Sequence, residues 1–85
     1  MVLRRLKPFT QNYAKLPAAI RKKVDRKLQY LAQDLRHPGL SARKMTGQDD
    51  IWEARVDEHY RMTFRIVDDT IVLRAVGTHE IYRKP

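Results

Sequence analysis

Residues 51–76 read Ile-Trp-Glu-Ala-Arg-Val, Asp-Glu-His, Tyr-Arg-Met-Thr-Phe-Arg-Ile-Val, Asp-Asp, Thr-Ile-Val-Leu-Arg-Ala-Val. Apolar and polar side chains alternate with a period of two through this stretch, the signature of half-buried strands. Three strands are predicted, Ile51–Val56, Tyr60–Val67 and Thr70–Val76. The turns between them, Asp57-Glu58-His59 and Asp68-Asp69, leave room only for antiparallel pairing.

Alternation also sorts the side chains by face. Trp52, Ala54 and Val56 share one side of the first strand, with Glu53 and Arg55 on the other. Tyr60, Met62, Phe64 and Ile66 oppose Arg61, Thr63 and Arg65 on the second. On the third, Ile71, Leu73 and Ala75 oppose Val72, Arg74 and Val76. One face is therefore apolar. The other carries Arg55, Arg61, Arg65 and Arg74, with Glu53 the one acid on the interior strand positions.

Upstream the period changes to 3.6. Ile20, Val24, Leu28, Leu31 and Leu35 fall within about 80° of arc on a helical projection, a single apolar stripe. This helix is expected to begin at Pro17 and to be stopped by His37-Pro38-Gly39. Around the stripe lie Arg21, Lys22, Lys23, Arg26 and Arg36, against Asp25 and Asp34. Lys27 falls inside it and is expected to lay its stem on the core with its ammonium in water. A shorter helix is predicted from a Thr10 cap to Leu16, turning Phe9, Tyr13 and Leu16 inward. Val2–Lys7 reads as an edge strand ended by Pro8. The expected fold class is α+β: two N-terminal helices packed on one face of a small twisted, mainly antiparallel sheet.

The 85 residues are expected to form one domain, 1–85, since so short a chain cannot divide its apolar residues between two cores. An open surface site is expected, because a large enclosed cofactor pocket would take too much of that core. No run of about 18 apolar residues is present, so no membrane span or membrane partner is expected. The opening Met-Val-Leu-Arg-Arg-Leu-Lys-Pro-Phe does not read as a secretion signal, and a cytoplasmic protein is expected. Without cysteine there is no thiolate chemistry, and three scattered histidines offer no metal-ligand spacing. Neither a metal nor another cofactor is expected.

Eighteen Lys and Arg against ten Asp and Glu give a formal charge of +8. Such a charge on a small body draws polyanions. Nucleic acid is the first partner to consider and an acidic protein the second. Solubility alone would be served better by mixed signs than by four arginines on one face. Like charges opposed on neighbouring strands destabilise, whereas the guanidinium fork binds phosphate in two-point fashion. A phosphate-binding face is the reading adopted here over a merely solvated one. Beyond the third strand, Gly77-Thr78-His79-Glu80-Ile81-Tyr82-Arg83 adds an imidazole and a phenol. Histidine is the side chain type that titrates near neutral pH, and tyrosine can stack on a base.

The order of these features resembles the RelE/ParE superfamily, the toxins of type II toxin–antitoxin systems. The resemblance rests on the basic helix pair, Lys44-Met45-Thr46-Gly47, Trp52-Glu53-Ala54-Arg55-Val56, Tyr60-Arg61-Met62-Thr63-Phe64-Arg65, the Asp68-Asp69 turn and the closing Val76-Gly77, His79 and Tyr82. It covers nearly the whole chain, and the Tyr60-Arg61 pair is its most specific part.

RelE-like members cleave mRNA, usually on the ribosome, and are held inactive by an antitoxin. The resemblance therefore implies a metal-independent endoribonuclease partnered by mRNA, the ribosome and a cognate acidic antitoxin. It matches Arg61 to the strand arginine that contacts the scissile phosphate, and Tyr82 to a late tyrosine that stacks on or orients the substrate. Arg55 and Glu53 stand where the namesake enzyme has lysines, and His79 where it has a second active-site arginine. Glu53, Arg61, His79 and Tyr82 are the candidate catalytic residues, with Glu53 and His79 as base and acid in either order. Arg55, Arg65, Arg74, Lys44 and Arg83 are the candidate RNA-binding residues. A ParE-like inhibitor of DNA gyrase without enzymatic activity, or a basic RNA- or ribosome-binding module, are the alternatives.

Overall fold

In the computed structural model, which describes residues 1–47 and 50–83, the chain runs β1 (Val2–Arg5), α1 (Lys7–Ala14), α2 (Ala18–Gln33), β2 (Arg43–Lys44), β3 (Trp52–Arg55), β4 (Arg61–Val67), β5 (Thr70–Gly77) and a closing 3₁₀ turn, His79–Arg83. Five strands form one sheet in the order β1-β5-β4-β3-β2. The β2–β3, β3–β4 and β4–β5 pairings are antiparallel, and β1 lies parallel to β5 with Val2 opposite Thr70. The α+β architecture of two helices and a mainly antiparallel sheet is the one expected.

The α2 stripe does the packing its spacing predicts. Val24, Leu28 and Leu31 are buried in one core with Phe9 of α1 and Ala54, Met62, Phe64, Ile71 and Leu73 of the sheet. Burying side chains of this size contributes about 1.5–3 kcal/mol each. The helix ends earlier than its apolar pattern, at Gln33. Asp34 is extended and its carboxylate accepts from the Arg36 amide at 2.9 Å, a local turn that competes with the next helical bond. Leu35 still packs on the core from beyond the helix end. Pro17 sits just ahead of α2 as its cap residue. The Lys27 ammonium donates to the Gly39 carbonyl at 2.6 Å.

Three further expectations are corrected. Helix α1 begins at Lys7 rather than after a Thr10 cap, because Pro8 fits a first helical turn, where its missing N–H costs nothing. Thr10 lies inside the helix, its hydroxyl facing the Leu6 carbonyl at 3.4 Å. A two-residue strand, β2, adds an edge to the sheet where no strand is predicted.

The third correction is in β5. The pairing register passes from Thr63 opposite Ala75 to Phe64 opposite Leu73, so Arg74 is an extra residue in a β-bulge. Alternation resets there. Val76, 2% exposed, joins the core opposite Met62, and Ala75 moves to the arginine side opposite Thr63. Beyond the end of β1, α1 takes over the free edge of β5: Asn12 accepts from the Val76 amide at 3.2 Å.

A candidate anion-binding site at the β3–β4 edge

The register lays out the side of the sheet away from the core in two rows. Arg43, Glu53, Thr63 and Ala75 stand opposite one another across β2, β3, β4 and β5. Arg55, Arg61 and Gly77 form the adjoining row. Arg55 and Arg61 are thus directly opposed like charges, an arrangement that lowers stability and favours a bound anion.

The closing 3₁₀ turn folds onto this side. Ile81 is buried against Gly77, where an added Cβ would come within 3.0 Å of the Ile81 side chain. This close approach needs the glycine. It carries Tyr82 to Glu53, and the phenol donates to the carboxylate Oε2 at 2.8 Å. The other oxygen, Oε1, accepts from Arg43 Nε at 2.5 Å. Glu53 is 8% exposed with both oxygens engaged. Burial pushes its carboxyl up, but the hydrogen bonds from Arg43 and Tyr82 and the charges of Arg43 and Arg61 outweigh that and hold it below its ordinary value. Burial and the same carboxylate raise the Tyr82 phenol.

Arg61 is held from the opposite side. Its Nη1 donates to the carbonyl oxygens of Asp57 and Tyr60, the latter at 2.9 Å. The Asp57 carboxylate builds the turn beneath it, accepting from the amides of His59 and Tyr60 at 2.9 Å each and from Lys23 of α2 at 3.3 Å. Burial raises the Asp57 carboxyl, and these donors more than reverse the shift.

Arg43, Met45, Thr46, Glu53, Arg61, His79 and Tyr82 line one cleft of about 430 Å³. The His79 ring is exposed and lies 5.9 Å from that of Tyr82, tilted by 43°. A second hollow of about 250 Å³ continues toward Arg55 and Ser41. The four candidate catalytic residues therefore share a cleft, with Arg55 at its margin.

The other candidates lie elsewhere. Arg65 is exposed further along β4, opposite Val72, and Arg74 is the bulge residue. Arg83 lines a separate groove of about 530 Å³ with Pro8, Asn12 and Ile81. Lys44 is paired with Trp52 on the opposite side of the sheet, its ammonium 5.9 Å from the indole centre. The structure adds Arg43 and Thr46 to the cleft, and Asp57 and Lys23 behind it, to the residues expected from the sequence. Among the described residues no group of three His, Asp or Glu could hold a metal ion, and no helix is long and apolar enough to cross a membrane.

The fold has counterparts among solved structures. The chain is similar to RelE in the RelB–RelE antitoxin–toxin complex from Methanococcus jannaschii, with 20% identity, a TM-score of 0.78 and 95% of each chain covered. A YoeB/ParE toxin from Agrobacterium tumefaciens aligns with a TM-score of 0.79 at 13% identity, over 93% of this chain and 99% of that one. The intact Escherichia coli RelBE toxin–antitoxin complex gives 0.74 at 19% identity, over 91% and 94%. No curated protein sequence matches. The family model for the ParE toxin of type II toxin–antitoxin systems matches residues 3–81, and with that span of the chain accounted for, this protein belongs to the ParE toxin family.

Proposed function

We propose that the chain is a toxin that cleaves mRNA without a metal, on the ribosome, and is neutralised by an acidic antitoxin. The observation that carries this reading is the shared cleft, where a histidine, a tyrosine and Arg61 meet on a basic sheet face. Cleavage joins the ribose 2′-oxygen to phosphorus and breaks the bond from phosphorus to the 5′-oxygen. A base takes the 2′-hydroxyl proton and an acid supplies one to the leaving oxygen.

Of the two candidate proton carriers, His79 is the better placed. Its ring is exposed in the cleft, whereas Glu53 has both oxygens bonded and a depressed pKa that makes it a weak base. Arg61 offers the guanidinium edge not used by the turn carbonyls to the charge developing on phosphorus, an effect typically worth about 10²–10³ in rate. Tyr82 orients the substrate base by stacking. Support for an antitoxin partner comes from the net charge of +8 and from the RelB-bound state of the similar RelE proteins.

The ParE match favours a second reading, in which the same fold inhibits DNA gyrase without catalysis. One experiment tests both: primer extension on ribosome-bound mRNA with purified chain, with and without chelator, beside a gyrase supercoiling assay. Chelator-resistant cleavage is the expected result. Intact mRNA together with inhibited supercoiling would transfer the case to the second reading.

A further inference from the structure

We propose that Arg43 and Tyr82 form a phosphodiester subsite beside Arg61, filled in the free chain by the Glu53 carboxylate, which an incoming RNA phosphate must displace. The proposal rests on the RNA reading above and adds to it a ligand position and a determinant of affinity.

The geometry points to an exchangeable anion. A carboxylate and a phosphodiester offer a guanidinium the same pair of anionic oxygens, which is why arginine recognises both. Arg43 Nε and the Tyr82 hydroxyl bind one carboxylate from two sides, at 2.5 and 2.8 Å. Each comes from a peripheral element, a two-residue edge strand and the closing 3₁₀ turn. Arg43 keeps 77% of its side chain exposed and so remains open to a ligand from solvent, while the Glu53 side chain is only 10% exposed.

A salt bridge with one partner so exposed adds little to stability. Its charge matters more. Glu53 lies one row from Arg61 on the same face, and both line the same cleft. While the carboxylate stays in place it cancels one of the two guanidinium charges and repels any phosphate seated between them. Displaced, it returns Arg43 to the polyanion. The depressed carboxyl pKa agrees with an anion bound by its neighbours, as a phosphate would be.

The test is fluorescence anisotropy with a labelled single-stranded 2′-O-methyl RNA, which the attack chemistry cannot consume, on the full chain. Glu53→Gln keeps the shape and an acceptor for Tyr82 but removes the charge. It should bind about tenfold more tightly than wild type, the order expected for deleting one like charge at this separation in a partly wet site. The slope of log K against log salt should steepen by about 0.7, one additional phosphate on a single strand. Arg43→Ala should weaken binding by the wild type, and in the Glu53→Gln background it should cancel the gain.

If Glu53→Gln folds poorly, the wild type decides: its Arg43 Nε–H resonance should shift on titration with the same RNA. Binding by wild type with no gain in Glu53→Gln, or an unmoved Arg43 signal on RNA binding, overturns the subsite and leaves the RNA reading intact. Absence of binding by wild type and variant alike removes both.

Discussion

The backbone carbonyl of Asp57 accepts a hydrogen bond from Nη1 of Arg61, so the guanidinium is aimed by a turn whose own shape depends on the Asp57 carboxylate. Lys23 of α2 steadies that carboxylate from 34 residues away. Asp57→Ala should therefore lower cleavage through kcat with little change in KM, and cost about 1–3 kcal/mol for the amides left without an acceptor. Asp57→Asn retains an acceptor for both amides and should restore most of the rate. Steady-state kinetics and urea melts of the two variants separate positioning from simple loss of fold.

His79→Ala should abolish most cleavage, about 10²–10⁴ in rate for lost proton transfer, while ribosome pelleting stays near wild type. Arg61→Ala should damage both, and Arg61→Lys should not rescue, since an ammonium cannot serve the turn carbonyls and a phosphate through a planar fork. Undiminished cleavage by the His79 variant would remove it from the mechanism.

Gly77→Ala places a methyl within 3.0 Å of Ile81. The closing turn must shift to admit it, at about 1–3 kcal/mol as for other overpacked sites. Tyr82 and His79 travel with that turn, so activity should fall further than the melting temperature suggests. Ile81→Ala should cost less in the Gly77→Ala background than in the wild type, because the two sites share the clash. Thermal melts and cleavage rates of the single and double variants check this.

Acid should destabilise the chain, and two carboxylates contribute to the loss. Glu53 and Asp57 both have folded pKa values below their ordinary ones. Their contribution is present in full above the unfolded-state value of about 4 and disappears as pH falls through the depressed folded values. Melting temperature should hold from pH 7 to about 5 and drop below 4. Asp57→Asn should show a shallower decline, measured by circular dichroism across that range.

Much of this was legible in the sequence because strands with one buried face announce it residue by residue. Met62, Phe64, Ile71 and Leu73 all occupy the side their parity assigns. Val76 and Ala75 do not, because an extra residue at Arg74 resets the alternation and leaves no mark in composition. The two residues of β2 are too few to show any period, which concealed Arg43. The engagement of Glu53 was equally hidden. Its partners lie 10 residues before it and 29 after, and the short turn that delivers Tyr82 carries no period of its own.

The parallel pairing of β1 with β5 sets an order of events during synthesis. Val2 lies beside Thr70, so the first strand made waits for the last before its edge is filled. Until then the growing chain can form its helices but cannot complete the sheet beneath the arginines. His79 and Tyr82 emerge later still. A half-made chain therefore lacks both the floor and the rim of its cleft until the closing turn has been translated.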